Sequence, residues 1–219
     1  MGAHKDVADV QAGRIYAGLT SADRVTNRRE RLLEAGLQIM GTPELAPITV
    51  RKVLEHSGVA PRYFYESFAD LDALQLAVFD QLIEEAEERA VQAMVTAPRR
   101  PSLRIRAVLT EMVDLLLDDP RKGRVLLMEP ITSPLLGPRF SDEVRRFAGL
   151  LARHSPAVWR GEDAGSRPVR ITAQFALGGF AATMTAVLTD SVPAGREALI
   201  DDLTALFLGL GTTFERLTR

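Results

Sequence analysis

Residues 49–68, TVRKVLEHSGVAPRYFYESF, decide the fold of this 219-residue chain. Thr49 suits the N-cap of a short helix, and Gly58 suits its end because glycine tolerates the left-handed conformation that helix C-termini favour. Pro61, a residue favoured in the first turn of a helix, opens a second short helix that runs to about Ser67. Two short helices joined by a turn of about three or four residues predict a helix-turn-helix.

The residues of this stretch divide into an apolar face and an outward face. The apolar residues, which suit a small core, are Val50, Val53, Leu54, Val59, Phe64 and Phe68. The outward residues are cationic and aromatic, and they are Arg51, Lys52, Arg62, Tyr63 and Tyr65. In a helix-turn-helix the first helix braces against the DNA backbone and the second lies in the major groove, so this face favours DNA binding. The alternatives are a solvated surface for the charges and half-buried packing for the tyrosines.

The order of motifs resembles the DNA-binding domain of the tetracycline-repressor (TetR) family. An arginine-flanked helix, a Thr-Val-Arg start, a Ser-Gly-Val turn, a Tyr-Phe-Tyr segment and a capped long helix follow one another over residues 24–80. The resemblance implies that Thr49 caps the first helix of the motif and can reach a phosphate, and that Tyr65 hydrogen-bonds the DNA backbone. The groove-facing positions that it implies are Arg51, Pro61, Arg62 and Tyr63.

Two positions depart from the family's pattern. Ala60 stands where a capping serine or threonine is common, and Leu71 stands where many members carry a lysine that touches phosphate. The arginines of the preceding helix can neutralise phosphates or reach a minor groove, and on this ground Arg28 is assigned to the DNA-binding set. These arginines are Arg24, Arg28, Arg29 and Arg31. Ion pairs on the helix surface with the interleaved Glu30 and Glu34 are the alternative interpretation.

The sequence on both sides of residues 49–68 also predicts helices. A preceding helix from about Ser21 buries a stripe formed by Val25, Leu32, Leu33, Gly36, Leu37 and Met40. Asp70 caps a long helix that ends near Pro98. Further helices are predicted at 102–118, 121–129, 141–160, 167–189 and 195–217. The predicted fold class is all-α with about nine helices, divided into a flexible arm over 1–20, a helix-turn-helix domain over 21–69 and a ligand-binding and dimerisation domain over 70–219.

The last two predicted helices are apolar around much of their circumference, which predicts burial. In TetR-like proteins the corresponding helices pair with their copies in a second subunit. We therefore expect a homodimer through 167–189 and 195–217, with packing inside one monomer as the alternative. A two-fold dimer presents two recognition helices to successive major grooves, so the expected partner is a roughly palindromic double-stranded DNA operator.

The resemblance also implies a small-molecule effector bound among the middle helices. The candidate cavity residues are Phe79, Met112, Leu116, Met128, Phe147, Leu150, Trp159 and Phe175. Ordinary core packing is the alternative for each of them. We expect a mainly apolar ligand that tilts the helix beginning at Asp70, changes the spacing of the two DNA heads and releases a repressor from its operator.

Composition and spacing argue against several other classes of protein. The chain has no cysteine, and its three histidines, His4, His56 and His154, are too scattered for a metal site. No nucleophile has a base and an orienting group beside it, and no glycine loop suits a phosphate, so neither an enzyme nor a cofactor is expected. A net charge of -2 at pH 7 means that DNA contact depends on local placement of cations. The alternative function is an all-helical small-molecule-binding protein or enzyme that retains the helix-turn-helix as scaffold.

Residues 171–189 carry no formal charge and are nearly long enough to span a bilayer. Several threonines, Gln174 and two central glycines dilute the run, so it is interpreted as a helix buried in protein. The N-terminus shows no apolar segment typical of a secretory signal. A cytoplasmic location without membrane contact is therefore expected.

Overall fold

The computed structural model describes residues 21–154 and 163–217, and the predicted flexible arm and Trp159 lie outside this part. Its helices are α1 (Ser21–Met40), α2 (Val50–Ser57), α3 (Pro61–Ser67), α4 (Leu71–Thr96), α5 (Pro101–Asp118), α6, α7 (Leu136–His154), α8 (Arg167–Leu188) and α9 (Arg196–Leu217). Helix α6 is continuous and has three parts, namely the α-helical Pro120–Gly123, the π-helical Arg124–Met128 and the α-helical Glu129–Thr132. A 3-10 turn, Pro43–Leu45, lies between α1 and α2. No strand occurs in either described range, and the predicted all-α class with about nine helices is confirmed.

Two helix boundaries that prolines predicted were wrong. Helix α7 begins at Leu136 rather than near residue 141, because Pro138 lies in its first turn, where no backbone N–H needs a partner inside the helix. Helix α6 continues to Thr132 although Pro130 lies within it. This proline lacks the N–H that would bond to the carbonyl of Leu126, and the wider π-helical turn immediately precedes it.

One apolar core joins the helix-turn-helix to the rest of the chain. Among its fully buried side chains are Ile39 of α1, Phe64 of α3, Phe79 of α4 and Met184 of α8. The core continues across residue 70, where the sequence predicts a domain boundary. The division into two domains stays a prediction.

Helix α1 buries its predicted stripe only from Leu32 onwards. Leu32, Leu37 and Met40 are buried, as predicted, whereas Val25 is 49% exposed. The prediction for Val25 was wrong because the buried part of α1 begins at Leu32, where α1 packs against α2 and α4.

Within one chain, helix α8 is buried on one side only, so its predicted burial stays a prediction that depends on the expected homodimer. Val169, Ala173 and Met184 are buried, but Ile171 is 54% exposed and Phe175 is 68% exposed. Packing against α7 and α9 covers only part of a helix that is apolar around most of its circumference. Among the described residues, α8 is also the one helix long and apolar enough to cross a membrane, with a mean hydropathy of 1.5.

Helices α1 and α6 touch at Gly41. A Cβ atom on Gly41 would lie 2.4 Å from the Cβ of Arg121 and 2.7 Å from its Cα. Backbone atoms in a packed helix cannot move aside as the end of a flexible side chain does. The contact between the two helices therefore requires glycine at this position.

We expect Gly41→Ala to lower the free energy of unfolding by about 1–3 kcal/mol, because the added methyl group overpacks the α1–α6 contact. Urea unfolding followed by circular dichroism measures the change. The matched control is Gly149→Ala in α7, where the nearest atom to the added Cβ is Nη1 of the Arg153 side chain, at 3.2 Å. Equal destabilisation by both substitutions would contradict the tight contact at Gly41.

Candidate nucleic-acid interface and ligand cavity

Local caps shape the turn between α2 and α3. Thr49 Oγ1 accepts a bond from the backbone N–H of Lys52 at 3.2 Å, as predicted for the N-cap of α2. Gly58 ends α2 with a φ of 63°, a left-handed conformation that favours glycine. Ala60 precedes α3 without a side-chain cap, and Asp70 caps α4 by accepting a backbone N–H at 2.8 Å, both as predicted.

Arg31 ties α1 to this turn. Its Nη2 donates a hydrogen bond to the carbonyl of Ser57, and Ser57 Oγ in turn accepts one from the backbone N–H of Val59 at 3.2 Å. The sequence assigned Arg31 to phosphate contact or to a surface ion pair, so its role in holding the turn was missed. No local pattern indicates it, because Arg31 and Ser57 are 26 residues apart.

Tyr63 contacts two arginines. The Arg28 guanidinium stacks 3.9 Å from the centre of the Tyr63 ring, and the Arg62 guanidinium lies 4.3 Å from it. Arg62 Nη2 also donates to the Tyr63 hydroxyl, and this bond is the largest of the effects that raise the pKa of Arg62. The Tyr63 side chain is partly buried and packs against the core. It therefore serves as a platform that orients both guanidinium groups.

Arg51 and Lys52, both predicted to face outward, have different environments. Arg51 is exposed and pairs with Glu55 on the same helix at 2.9 Å, an arrangement that contributes little in water and leaves the guanidinium available for a phosphate. Lys52 Nζ instead donates to the carbonyls of Leu45 and Pro47 at 2.6 and 3.0 Å. The prediction for Lys52 is corrected, because its ammonium group satisfies carbonyls of the segment that leads into α2.

The predicted DNA-binding residues remain accessible. The exposed ones are Thr49, Arg51, Pro61, Arg62 and Tyr65, whereas Arg28 and Tyr63 are partly exposed. Tyr65 has 61% of its surface exposed. Arg28 forms no ion pair with another described residue, and its guanidinium lies over the Tyr63 ring. Glu34 pairs with Arg121 of α6. The alternative of ion pairs within α1 therefore does not hold for Arg28. Their contacts with DNA stay predictions.

A cavity of about 400 Å³ lies among α4, α5, α6, α7, α8 and α9. Of the candidate ligand residues, Met112, Leu116, Phe147 and Leu150 line it. The other three described candidates do not: Phe79 is fully buried in the core, Met128 is partly buried on α6, and Phe175 is exposed and lines an open groove between α7 and α8. A role in ligand binding stays a prediction for each of these residues.

Several residues that line the cavity were not among the candidates. On α4 they include Ile83, Ala86, Ala90 and Met94, which recur at three- and four-residue steps. This spacing showed an apolar face of α4, but it does not tell a filled interior from a cavity. Glu87 and Glu143 also line the cavity, and no sequence pattern marks them as cavity residues.

The first turn of α6 links the cavity wall to α1. Arg121 Nη1 donates to Glu34 Oε1 at 2.8 Å and to Gln38 Oε1 at 2.6 Å, while Nε and Nη2 donate to Asp119 at 2.9 and 2.7 Å. The bonds from Arg121 hold the pKa of the Asp119 carboxyl below its usual range. Farther along α6, Leu126 lines the cavity.

The next residue links the same turn to α4. Lys122 Nζ donates to both carboxylate oxygens of Glu85 at 2.7 Å. Glu85 also accepts a bond from Arg89 at 2.8 Å. Neighbouring residues of α6 therefore hold α1 and α4, the helices that flank the α2–α3 pair. The described residues contain no group of three or more side chains that could hold a metal ion.

Comparison with known proteins identifies the fold. No family model matches the chain. FadR, a fatty acid degradation regulator from Bacillus halodurans, aligns with a TM-score of 0.71 at 16% sequence identity, over 83% of this chain and 95% of that chain. A putative TetR-family transcriptional regulator from Syntrophomonas wolfei aligns with a TM-score of 0.71 at 12% identity, over 85% and 96%. FadR from Bacillus subtilis, in complex with stearoyl-CoA, aligns with a TM-score of 0.70 at 16% identity, over 82% and 97%.

The chain therefore has the fold of TetR-type transcriptional regulators, and the resemblance predicted from residues 24–80 is confirmed at the level of the fold. Among these similar structures, two are FadR regulators. At these identities the likeness establishes the fold alone.

We expect Asp119→Asn to lower the free energy of unfolding at pH 7 by about 1 kcal/mol, because asparagine retains the N-cap of α6 but loses the charge that Arg121 binds. The stability from this carboxylate is fully present above the unfolded pKa of about 3.9 and is lost as the pH falls through the lower folded pKa. Urea unfolding at pH values from 7 down to 3 measures the difference.

Asp142→Asn is the control, because Asp142 forms an exposed ion pair with Arg145 three residues away. We expect it to change stability by less than about 0.5 kcal/mol. A difference between Asp119→Asn and the unsubstituted protein that stays constant down to pH 3 would contradict the assignment.

Proposed function

We propose that this chain is a DNA-binding transcriptional regulator, a repressor that binds a roughly palindromic operator as a homodimer and is released by a small, mainly apolar ligand. The observation that carries the proposal is the exposed surface of Thr49, Arg51, Arg62 and Tyr65 on a helix-turn-helix whose turn is held by Arg31. The TetR-type fold supports it. A cytoplasmic location accords with this function.

Each residue of the surface suits a distinct contact with DNA. Thr49 stands at the N-terminus of α2, where the hydroxyl and the backbone N–H groups favour a phosphate. Arg62 at the start of α3 can donate to O6 and N7 of guanine. The Tyr65 hydroxyl can donate to a phosphate. Tyr63 holds Arg28 and Arg62 in place, so the local positive charge does not depend on the net charge of the chain.

The exposed face of α8 supports dimerisation. One stripe of the helix holds four residues at four-, three- and four-residue steps, namely Ile171, Phe175, Gly178 and Ala182. Each of these residues is exposed. A Cβ atom on Gly178 would meet nothing within 4 Å in one chain, which leaves room for a neighbouring helix. Leu206 of α9 is 64% exposed and extends the apolar surface. A second copy of the chain that packs on α8 and α9 removes this surface from water.

The nearly apolar cavity supports an apolar effector. Helices α4 and α6 form part of its wall, and both also contact α1. Helix α4 packs against Gly36 of α1, and Arg121 of α6 bonds Glu34 of α1. A ligand that binds one arrangement of these helices better than another shifts the position of the DNA-binding surface. The stearoyl-CoA bound by the similar FadR regulator carries a long apolar chain, which accords with an effector of this kind.

A mobility-shift assay on the DNA immediately upstream of the protein's own coding region tests the DNA-binding role. We expect binding that weakens steeply with salt, because displacement of counterions from phosphates drives it. Arg62→Ala should weaken binding about tenfold or more, and Tyr65→Phe about fivefold, through loss of a base contact and a phosphate contact respectively.

The matched control is Arg99→Ala, which removes the same charge from an exposed site between α4 and α5. It should leave binding unchanged within about twofold. If neither Arg62→Ala nor Tyr65→Phe differs from this control, the assigned DNA surface is wrong. Ligand binding without any DNA binding would favour the alternative, an all-helical small-molecule-binding protein.

Sedimentation velocity tests the proposed dimer. We expect Phe175→Glu to weaken self-association at least about 30-fold, because it places a carboxylate in the centre of an apolar interface. Leu103→Glu on α5 is the control, since Leu103 is a 40% exposed apolar residue that does not belong to the apolar stripe of α8. A dimer that tolerates Phe175→Glu would exclude the α8 face from the interface.

A further inference from the structure

A chain of alternating charges crosses the gap between α4 and α7. Asp80 and Glu87 stand seven residues apart on α4, and Arg139, Glu143 and Arg146 stand at steps of four and three on α7. Arg139 bridges Asp80 and Glu143, with each pair of atoms at 2.8 Å. Arg146 bridges Glu143 and Glu87, at 2.6 and 2.9 Å. We call these five residues the α4–α7 ladder.

Two carboxylates of the ladder line the cavity, whereas its two arginines do not. Glu87 and Glu143 line the cavity, and they are its only ionisable lining residues among those the structure describes. Arg139 and Arg146 do not line it. The Glu143 side chain is only 6% exposed and both of its oxygens are occupied by arginines. Glu87 is 37% exposed and accepts a single bond from the described residues, through Oε2.

Because carboxylates but no arginines line the cavity, the lining favours a cationic ligand group over an anionic one. Three carboxylates and two guanidinium groups give the ladder a net charge of one negative unit. An anionic group brought into the apolar space would lose its hydration, find no cation on the described wall and face two carboxylates. A cationic group would find a carboxylate, Glu87, with one oxygen that accepts no bond from the described residues.

We propose that the cavity takes an apolar molecule that carries one protonated amine, with the amine bound by Glu87, and that it discriminates against a carboxylate of the same length. This inference rests on the proposed function, since it names the chemistry of the effector. The amine binds Oε1 of Glu87, the oxygen that accepts no bond from the described residues, and shares the negative charge of that carboxylate with Arg146. Binding therefore weakens the tie between α4 and α7 at the helix that leads directly from α3.

Three probes with the same twelve-carbon chain test the selectivity on the full-length protein: dodecylamine, dodecanol and dodecanoate. Isothermal titration calorimetry at pH 7, with every probe below its micelle concentration, measures the affinities. We expect dodecylamine to bind at least about tenfold more tightly than dodecanoate, because a charge-assisted hydrogen bond replaces a charge repulsion. Dodecanol should lie between them.

Two substitutions in the ladder separate recognition from a structural effect. Glu87→Gln should weaken dodecylamine binding about tenfold, whereas Arg146→Gln should strengthen it several-fold by removing the cation that shares the charge of Glu87. Both substitutions break the bond between Arg146 and Glu87 that joins α4 to α7, and Arg146→Gln also removes the bond from Arg146 to Glu143 within α7. A purely structural role of the shared bond would move the affinity in one direction. Glu88→Gln, on the exposed neighbouring residue, should leave it unchanged. Dodecanol affinity should stay within about twofold in all three variants.

Dodecanoate binding as tight as dodecylamine binding would overturn the inference and leave the proposed regulator intact. A shift of dodecylamine affinity in the same direction for Glu87→Gln and Arg146→Gln would also overturn it. If none of the three probes binds, both this inference and the proposed ligand cavity fail, while the mobility-shift assay still decides DNA binding independently.

Discussion

The packing of α1 against α4 and α6 is the constraint on which the rest of the structure depends. Gly41 leaves no room for a side chain at the α1–α6 contact, and Arg121 satisfies the polar groups around it. Because α1 also supplies Arg28 and Arg31, the same helix orients the exposed guanidinium groups and holds the turn between α2 and α3. One set of contacts thus determines both the shape of the surface and its position relative to the cavity.

The proposed DNA surface is organised before any DNA arrives. Arg28 and Arg62 rest on the Tyr63 ring, so their side chains have already lost part of the conformational freedom that binding would remove. The partner of Arg51 is a solvated carboxylate on the same helix, which a phosphate can replace at little cost. A chain with a net negative charge can in this way present a local positive surface.

The cavity and the surface differ in how far the sequence predicts them. Thr49, Gly58 and Asp70 act on neighbours within a few residues, so their roles as caps were predicted and are confirmed. The lining of the cavity depends on where packed helices leave a gap. The resemblance makes Phe79 and Met112 equal candidates for the cavity, but only the packing of six helices makes the first a core residue and leaves the second beside empty space.

The sequence by itself determined the all-helical class, the position of the helix-turn-helix and the residues available to contact DNA, because capping, turn conformation and helical periodicity are local properties of the chain. The tertiary structure alone decided that Arg31 holds a turn, that Lys52 binds the carbonyls of Leu45 and Pro47, and that Glu143 is buried. The long-range bonds of Arg31 and of the α4–α7 ladder join residues 26 and 59 positions apart, and such distances in sequence are closed only by the packing of complete helices.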